Sequence, residues 1–314
     1  MVYGLIAITL FCLTLKGYCG KRISTHVTGF GDSFLFNLIR MLFCILIGAA
    51  FVCFEGAQNH LGVEWRMLLI CAFSGAANAA FLVGWLFAVQ KNTMVSVDVG
   101  LTLGSILPAV LCAMLFAEAI SIPKMLGFAL ILGATVILAG HGPKKATSAK
   151  GLLLLVIAAV GDGLCGFTQQ LYRQCYTEGG VWSHGVYYPK TVYHFYTYVF
   201  AALLLLAIWF GYRMSASGKA EAVANKAAQR ATLPPRILLH ISIMAVCLFA
   251  ANYLQTVVTN DYAMPSQVLY PVIKGGCLIT VNFVAMLFFG EKITPRSLVG
   301  SFVALVGIVC MNIL

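Results

Sequence analysis

Apolar residues run through this chain in long blocks, and polar residues gather between them. Ten such blocks cover residues 2–17, 33–54, 66–89, 94–116, 122–139, 151–171, 190–211, 236–258, 263–289 and 295–314. A helix rises about 1.5 Å per residue, so about 20 residues cross the hydrocarbon of a bilayer. Blocks two to ten mostly reach that length; the first and fifth are near the short limit. Barrel strands would alternate polar and apolar residues over about ten positions, and nothing here alternates. The pattern predicts an all-α membrane protein with ten transmembrane helices.

The connectors are short and carry Gly, Pro, Asn and Ser, as in "QKNT" (90–93) and "GHGPKKATSAK" (140–150). The second falls near the middle of the chain, and the sequence repeats on either side of it. "AANAA" at 76–80 returns as "AANYL" at 250–254. "EAISIPKMLG" (118–127) returns as "EKITPRSLVG" (291–300), with Glu118 matching Glu291, Ile120 matching Ile293 and Gly127 matching Gly300. Two five-helix repeats follow, 1–140 and 151–314, joined by a linker at 141–150. An odd number of spans per repeat turns the second upside down in the membrane. Inverted repeats of this kind place a substrate site at the midplane between them. A polar basic loop at 212–235, "SGKAEAVANKAAQRATLPPR" at its centre, is predicted to be a short surface helix or a mobile segment apart from the site.

Composition agrees with the blocks. Hydrophobic residues make up 61% of the chain, charged residues 10%, and the mean hydropathy is +0.93. Soluble domains carry about 25% charged residues, so too few are present here to coat a water-facing surface. The net charge of +10 sits in the short connectors, where it reports topology. No aromatic-interleaved basic patch suggests nucleic acid. Lys21, Arg22, Lys91, Lys144, Lys145, Lys150, Arg213, Lys219, Lys226, Arg230, Arg236, Lys292 and Arg296 follow odd-numbered blocks. Only Arg66, Lys124, Arg173 and Lys190 follow even-numbered ones. The positive-inside rule then places the first set in the cytoplasm and both termini outside. The eleven cysteines are scattered without a C-x-x-C pair. They read as small buried hydrophobes, and no metal or cofactor is expected.

Two stretches carry a family resemblance. "AEAISIPKMLG" followed by "ALILGATVIL", and "FFGEKITPRSLVGSFVALVGIVCM" at the end of the chain, resemble the EamA-like branch of the drug/metabolite transporter superfamily. "YPVIKGG" (270–276) is similar to that family's Pro-containing ninth helix. The resemblance implies ten helices, a central cavity and transport of small organic molecules. It also implies termini inside, against the charges. Glu118 and Glu291 are then marks of helix ends, not ligands.

Charge inside the blocks points to the site, because an ionisable group at the bilayer centre lines a cavity or a pathway by default. Lys16 and Arg40 lie near block ends and are expected to snorkel to the headgroups. Asp98, five residues into its block, fits either a capping position or the cavity. Lys274 and Asp162 are central. Lys274 stands roughly 15 Å from either interface at 1.5 Å per residue, farther than a lysine reaches. Helical spacing adds neighbours: Gln267 and Tyr270 beside Lys274, and Gln169 beside Asp162. Asn252 and Gln255 share a face of the eighth block, His194 lies on the seventh, and Asn78 and Trp85 line up on the third. These eleven residues are the candidate substrate ligands, with interhelical hydrogen bonds as the alternative for Asn78, Asn252 and His194. Pro271 removes a backbone hydrogen bond one turn before Lys274, and Gly275 and Gly276 follow, so the ninth helix is expected to bend or open there. The fifth and tenth blocks carry small residues such as Gly300, Ala304 and Gly307, suited to close packing or a homodimer.

The expected function is a secondary active transporter in the cytoplasmic membrane. It would move a small organic metabolite or drug by alternating access, with coupling to a proton or to exchange. No G-x-x-x-x-G-K-[ST] loop is present to bind ATP. Across the interface between the two halves, Lys274 would meet an anionic substrate group or exchange partners with Asp162; a purely structural bridge between the two is the alternative. The rival class is an integral membrane enzyme, for which only His26 and Asp32 in "HVTGFGD" (26–32) speak.

Overall fold

The computed structural model describes residues 1–313 except 28, 92–93, 117–120, 140–148, 179, 184, 216, 218, 221–233 and 291–294. Glu118, Glu291, the 140–148 part of the linker and most of the 212–235 loop lie outside the described residues. The described residues form eleven α-helices, one 3₁₀ turn and no strand. These are α1 (Val2–Ser24), α2 (Phe30–Phe54), α3 (Trp65–Lys91), α4 (Met94–Gly104), α5 (Ile106–Phe116) and α6 (Ile122–Ala139), then α7 (Ala149–Tyr176), α8 (Lys190–Met214), α9 (Pro235–Asp261), α10 (Ser266–Phe289) and α11 (Pro295–Ile313). Eight apolar stretches are long enough to cross a membrane; α6 and α11 add shorter ones, Met125–Ile137 and Leu298–Cys310. This is the make-up of a multi-pass helical membrane protein. Large apolar side chains such as Leu46, Phe73, Val136, Leu203, Phe283 and Phe302 face outward, as lipid-facing positions do.

Local chemistry sets several helix ends. Proline precedes α8, α9 and α10 at Pro189, Pro234 and Pro265, where its fixed φ suits a helix entry and no amide hydrogen is missed. Gly290 ends α10 in the left-handed region, at φ 65°, and its N–H donates to Ala285 O, a capping conformation that glycine adopts without a Cβ clash.

The fourth apolar block is not one helix. It divides at Ser105, whose N–H and Oγ both donate to Thr102 O, at 3.1 and 2.6 Å. Pro108 explains the division: its ring opposes the carbonyl of Gly104, four residues back, and glycine there yields most readily. The ninth block behaves in the opposite way from expectation. Pro271 lies inside α10, yet α10 is unbroken from Ser266 to Phe289. Its ring opposes Gln267 near the helix start, and no glycine lies there to yield.

The helices pack as a bundle in which α3 lies on α7, α1 on α9, α2 on α8, and α6 on α11. Further contacts join α4 and α5 to α7 and α10, α1 to α10, α2 to α9, and α3 to α8. The small residues of α6 and α11 meet each other: a Cβ on Gly307 would lie 2.8 Å from Gly127 O. At one end of the bundle Lys21 Nζ donates to Val89 O and Arg22 lies over Phe289. At the other, Tyr253 donates to Glu55, Tyr196 to Leu61 O, and Lys190 pairs with Asp261.

Candidate functional site

The site forms where α7 and α10 bring two charges together inside the bundle. Lys274 Nζ lies 2.5 Å from Asp162 Oδ2, with the side chains 14% and 16% exposed. Both residues belong to 151–314, so the pair joins two helices, α7 and α10, of the same half of the sequence. The sequence placed it across the junction of the repeats, and that expectation is corrected.

One turn after Asp162, Gly166 lets the Tyr270 ring pack directly on the α7 backbone; a Cβ there would be 2.9 Å from the ring. The Tyr270 hydroxyl lies 2.7 Å from Gly166 O and 3.1 Å from Gln169 Oε1. Two of the predicted neighbours are therefore held together with the charge pair. The side chain of Gln267 lies outside the described residues.

Two adjoining cavities surround the pair, and Lys16, Lys274, Leu13 and Phe81 line both. Each offers about 30 Å³ to water, room for a few water molecules and no organic substrate. The first is bounded by Trp85 and Asp98. The second is bounded by Asp162, Asn78, Asn252, Gln255, Gln169 and Tyr270. Asn78 donates to Ser74 O on its own helix, while its buried Oδ1 has no partner among the described residues. Asn252 donates to the Tyr198 hydroxyl at 3.0 Å, so it also ties α9 to α8.

His194 does not join them. Its Nε2 lies 2.9 Å from Thr256 Oγ1, its ring packs among Tyr193, Tyr198, Phe249 and Tyr253, and it lines neither cavity. The polar face of α8 is used for bonds to neighbouring helices: Tyr193 reaches Ser74 Oγ at 2.9 Å and Thr168 at 3.4 Å. His26 and Asp32 stand at the end of the bundle and line neither cavity.

Lys16 and Arg40 overturn the snorkelling expectation. They are 5% and 1% exposed. The helices run farther than their apolar blocks: α1 continues through Ser24, placing Lys16 two turns inside, and α2 begins at Phe30, three turns before Arg40. Lys16 Nζ lies 4.8 Å from the centroid of the Phe81 ring and 5.4 Å from that of Trp85. Arg40 lies over Trp85 from its own side, 5.6 Å away. Its Nη2 meets Met244 Sδ, and its Nε and Nη1 are unpartnered among the described residues. A sequence signal for Lys16 exists. Lys16-Gly17-Tyr18-Cys19-Gly20 and Asp162-Gly163-Leu164-Cys165-Gly166 each open on a charge, of opposite sign, and share Gly, Cys and Gly at the same spacing. In each stretch the glycine one turn after the charge seats an aromatic ring, Trp85 on Gly20 and Tyr270 on Gly166.

The fold recurs. A solved crystal structure superposes on 99% of this chain and 98% of its own with a TM-score of 0.68, at 12% sequence identity. At that identity the likeness speaks for the fold alone. No family model and no curated protein matches the chain.

Proposed function

We propose that this protein is a secondary transporter of a small organic metabolite or drug. It works in the cytoplasmic membrane by alternating access between two inverted five-helix halves. The observation that carries the reading is the group of four charged side chains, Lys16, Asp98, Asp162 and Lys274, on the walls of two joined cavities inside an apolar bundle. Intramembrane charges are costly and mark a pathway or a binding site. The packing adds support. Taking α4 and α5 as one span, α1 on α9 corresponds to α7 on α3 when each helix is replaced by its repeat partner, and α2 on α9 corresponds to α8 on α3. The contacts of α2 with α8 and of α6 with α11 map onto themselves. Inverted repeats produce this exchange, and their sites lie between the halves. The narrow cavities fit a closed conformation, which opens to one side when the halves rock.

Proteoliposomes loaded with a metabolite extract test the proposal. With the protein present, one or a few solutes should leave or exchange within minutes, as read by mass spectrometry, and protein-free vesicles should retain them. Equal retention in both, under imposed proton gradients of either sign and with external extract, would rule transport out.

A further inference from the structure

Of the four charges on the two cavities, Lys274 and Asp162 answer each other. Lys16, which lines both cavities, and Asp98, which lines the first, are not joined to a partner in this way. The Lys16 ammonium has no hydrogen-bond acceptor and no carboxylate partner among the described residues; ring faces are its near contacts. Asp98 lines the same cavity, and its carboxylate also lacks a hydrogen bond or ion pair among the described residues. Leaving a buried ammonium and a half-buried carboxylate unjoined is costly unless a third group satisfies them.

The repeat sharpens this. Lys16 on α1 is the counterpart of Asp162 on α7 through the matched five-residue motif. Asp98 lies in the fourth span and Lys274 in the ninth, which are also repeat partners. Each half therefore contributes one lysine and one aspartate to the cavity walls, with the signs exchanged between spans. In the second half the two are in contact. In the first half they face one cavity and are not joined. Gly20 and Trp85 hold Lys16 against ring faces, and Arg40 behind Trp85 adds uncompensated positive charge on that side.

We propose that the open pair is the recognition site for a small zwitterion with an apolar body. The ligand carboxylate is received by Lys16 and its ammonium by Asp98, with the body against Phe81, Trp85, Val97 and Leu101. This rests on the transport reading in two ways: it names the ligand a substrate, and the cavity, too small here for an organic molecule, admits one when the halves rock open. Discrimination follows from the chemistry: a ligand lacking either charge leaves the opposing charge of the cavity unanswered.

Titration calorimetry on the purified protein tests it. The probes are L-alanine, L-valine, L-leucine, L-methionine and L-phenylalanine, each beside its carboxamide and its des-amino acid. At least one zwitterion should bind, and its amide and acid should bind at least tenfold more weakly. Lys16→Met and Asp98→Asn should each weaken that zwitterion at least tenfold, whereas Lys16→Arg should retain most of the affinity. If no zwitterion binds, or an uncharged-end analogue binds as tightly, the proposal fails on the wild-type protein alone, whatever the variants do. Unchanged binding in Lys16→Met also overturns it, because Lys16 then does not receive the carboxylate. A zwitterion that binds but is not moved in proteoliposomes removes the transport reading and leaves the site. Movement of another solute with no zwitterion bound does the reverse.

Discussion

Lys274, largely enclosed, and Lys16, buried, are answered differently, and their removal should have different consequences. Lys274 is joined to Asp162. Lys274→Met would strand a largely enclosed carboxylate, and breaking a buried pair from one side costs about 3–5 kcal/mol. The unfolding midpoint in detergent should fall clearly, and Lys274→Met with Asp162→Asn should recover most of the loss. A single variant that unfolds at the wild-type midpoint would show that the pair contributes nothing to the fold. Lys16→Met strands no partner and should leave the midpoint near that of the wild type. The sequence made Lys274 and Asp162 readable because their distance from the block ends exceeds the reach of their side chains. Lys16 was concealed by "GYCGKRIS" (17–24), which looks like the end of a span. Gly20 is small because Trp85 of α3 packs on it, Gly17 faces Met94 of α4, and the helix continues through both.

The helices meet most closely where glycine removes the side chain, and the crossing of α7 with the α4–α5 division is the sharpest instance. A Cβ on Gly163 would run into the carbonyl oxygen of Gly104 and stand 3.0 Å from Leu107 Cβ. Neither backbone can yield without moving Asp162, the neighbour of Gly163. Gly163→Ala should therefore destabilise by about 1–3 kcal/mol, the usual range for overpacking. Gly133 in α6 has nothing within 4 Å of the same position. Gly133→Ala should stabilise by about 0.5–1 kcal/mol through helix propensity alone. Parallel unfolding measurements would expose an error if both shifted the same way. Helix existence was legible from the apolar blocks. The broken span was assigned to Pro271 because that proline precedes a charge and two glycines. The break occurs instead at Pro108, where "GSILP" (104–108) puts glycine opposite the proline ring. Proline alone does not decide a break; the residue four positions before it decides whether the helix gives way.

The bundle has two chemically different ends, and this asymmetry fixes how it should sit in a bilayer. Lys21, Arg22, Arg213, Lys219, Arg236 and Arg296 gather at the end where Lys21 bonds Val89 and Arg22 covers Phe289. Arg66, Arg173 and Lys190 mark the other end, where Lys190 is neutralised by Asp261. Basic residues close to span ends are held back on the cytoplasmic side. The first end should face the cytoplasm and both termini the outside, opposite to what the family resemblance implies. Gly62 stands in the connection between α2 and α3 with nothing within 4 Å, and Ser215 follows α8 at the basic end. In a cysteine-free background, Gly62→Cys should react with a membrane-impermeant maleimide on intact cells. Ser215→Cys should react only after permeabilisation. The reverse pattern would invert the orientation.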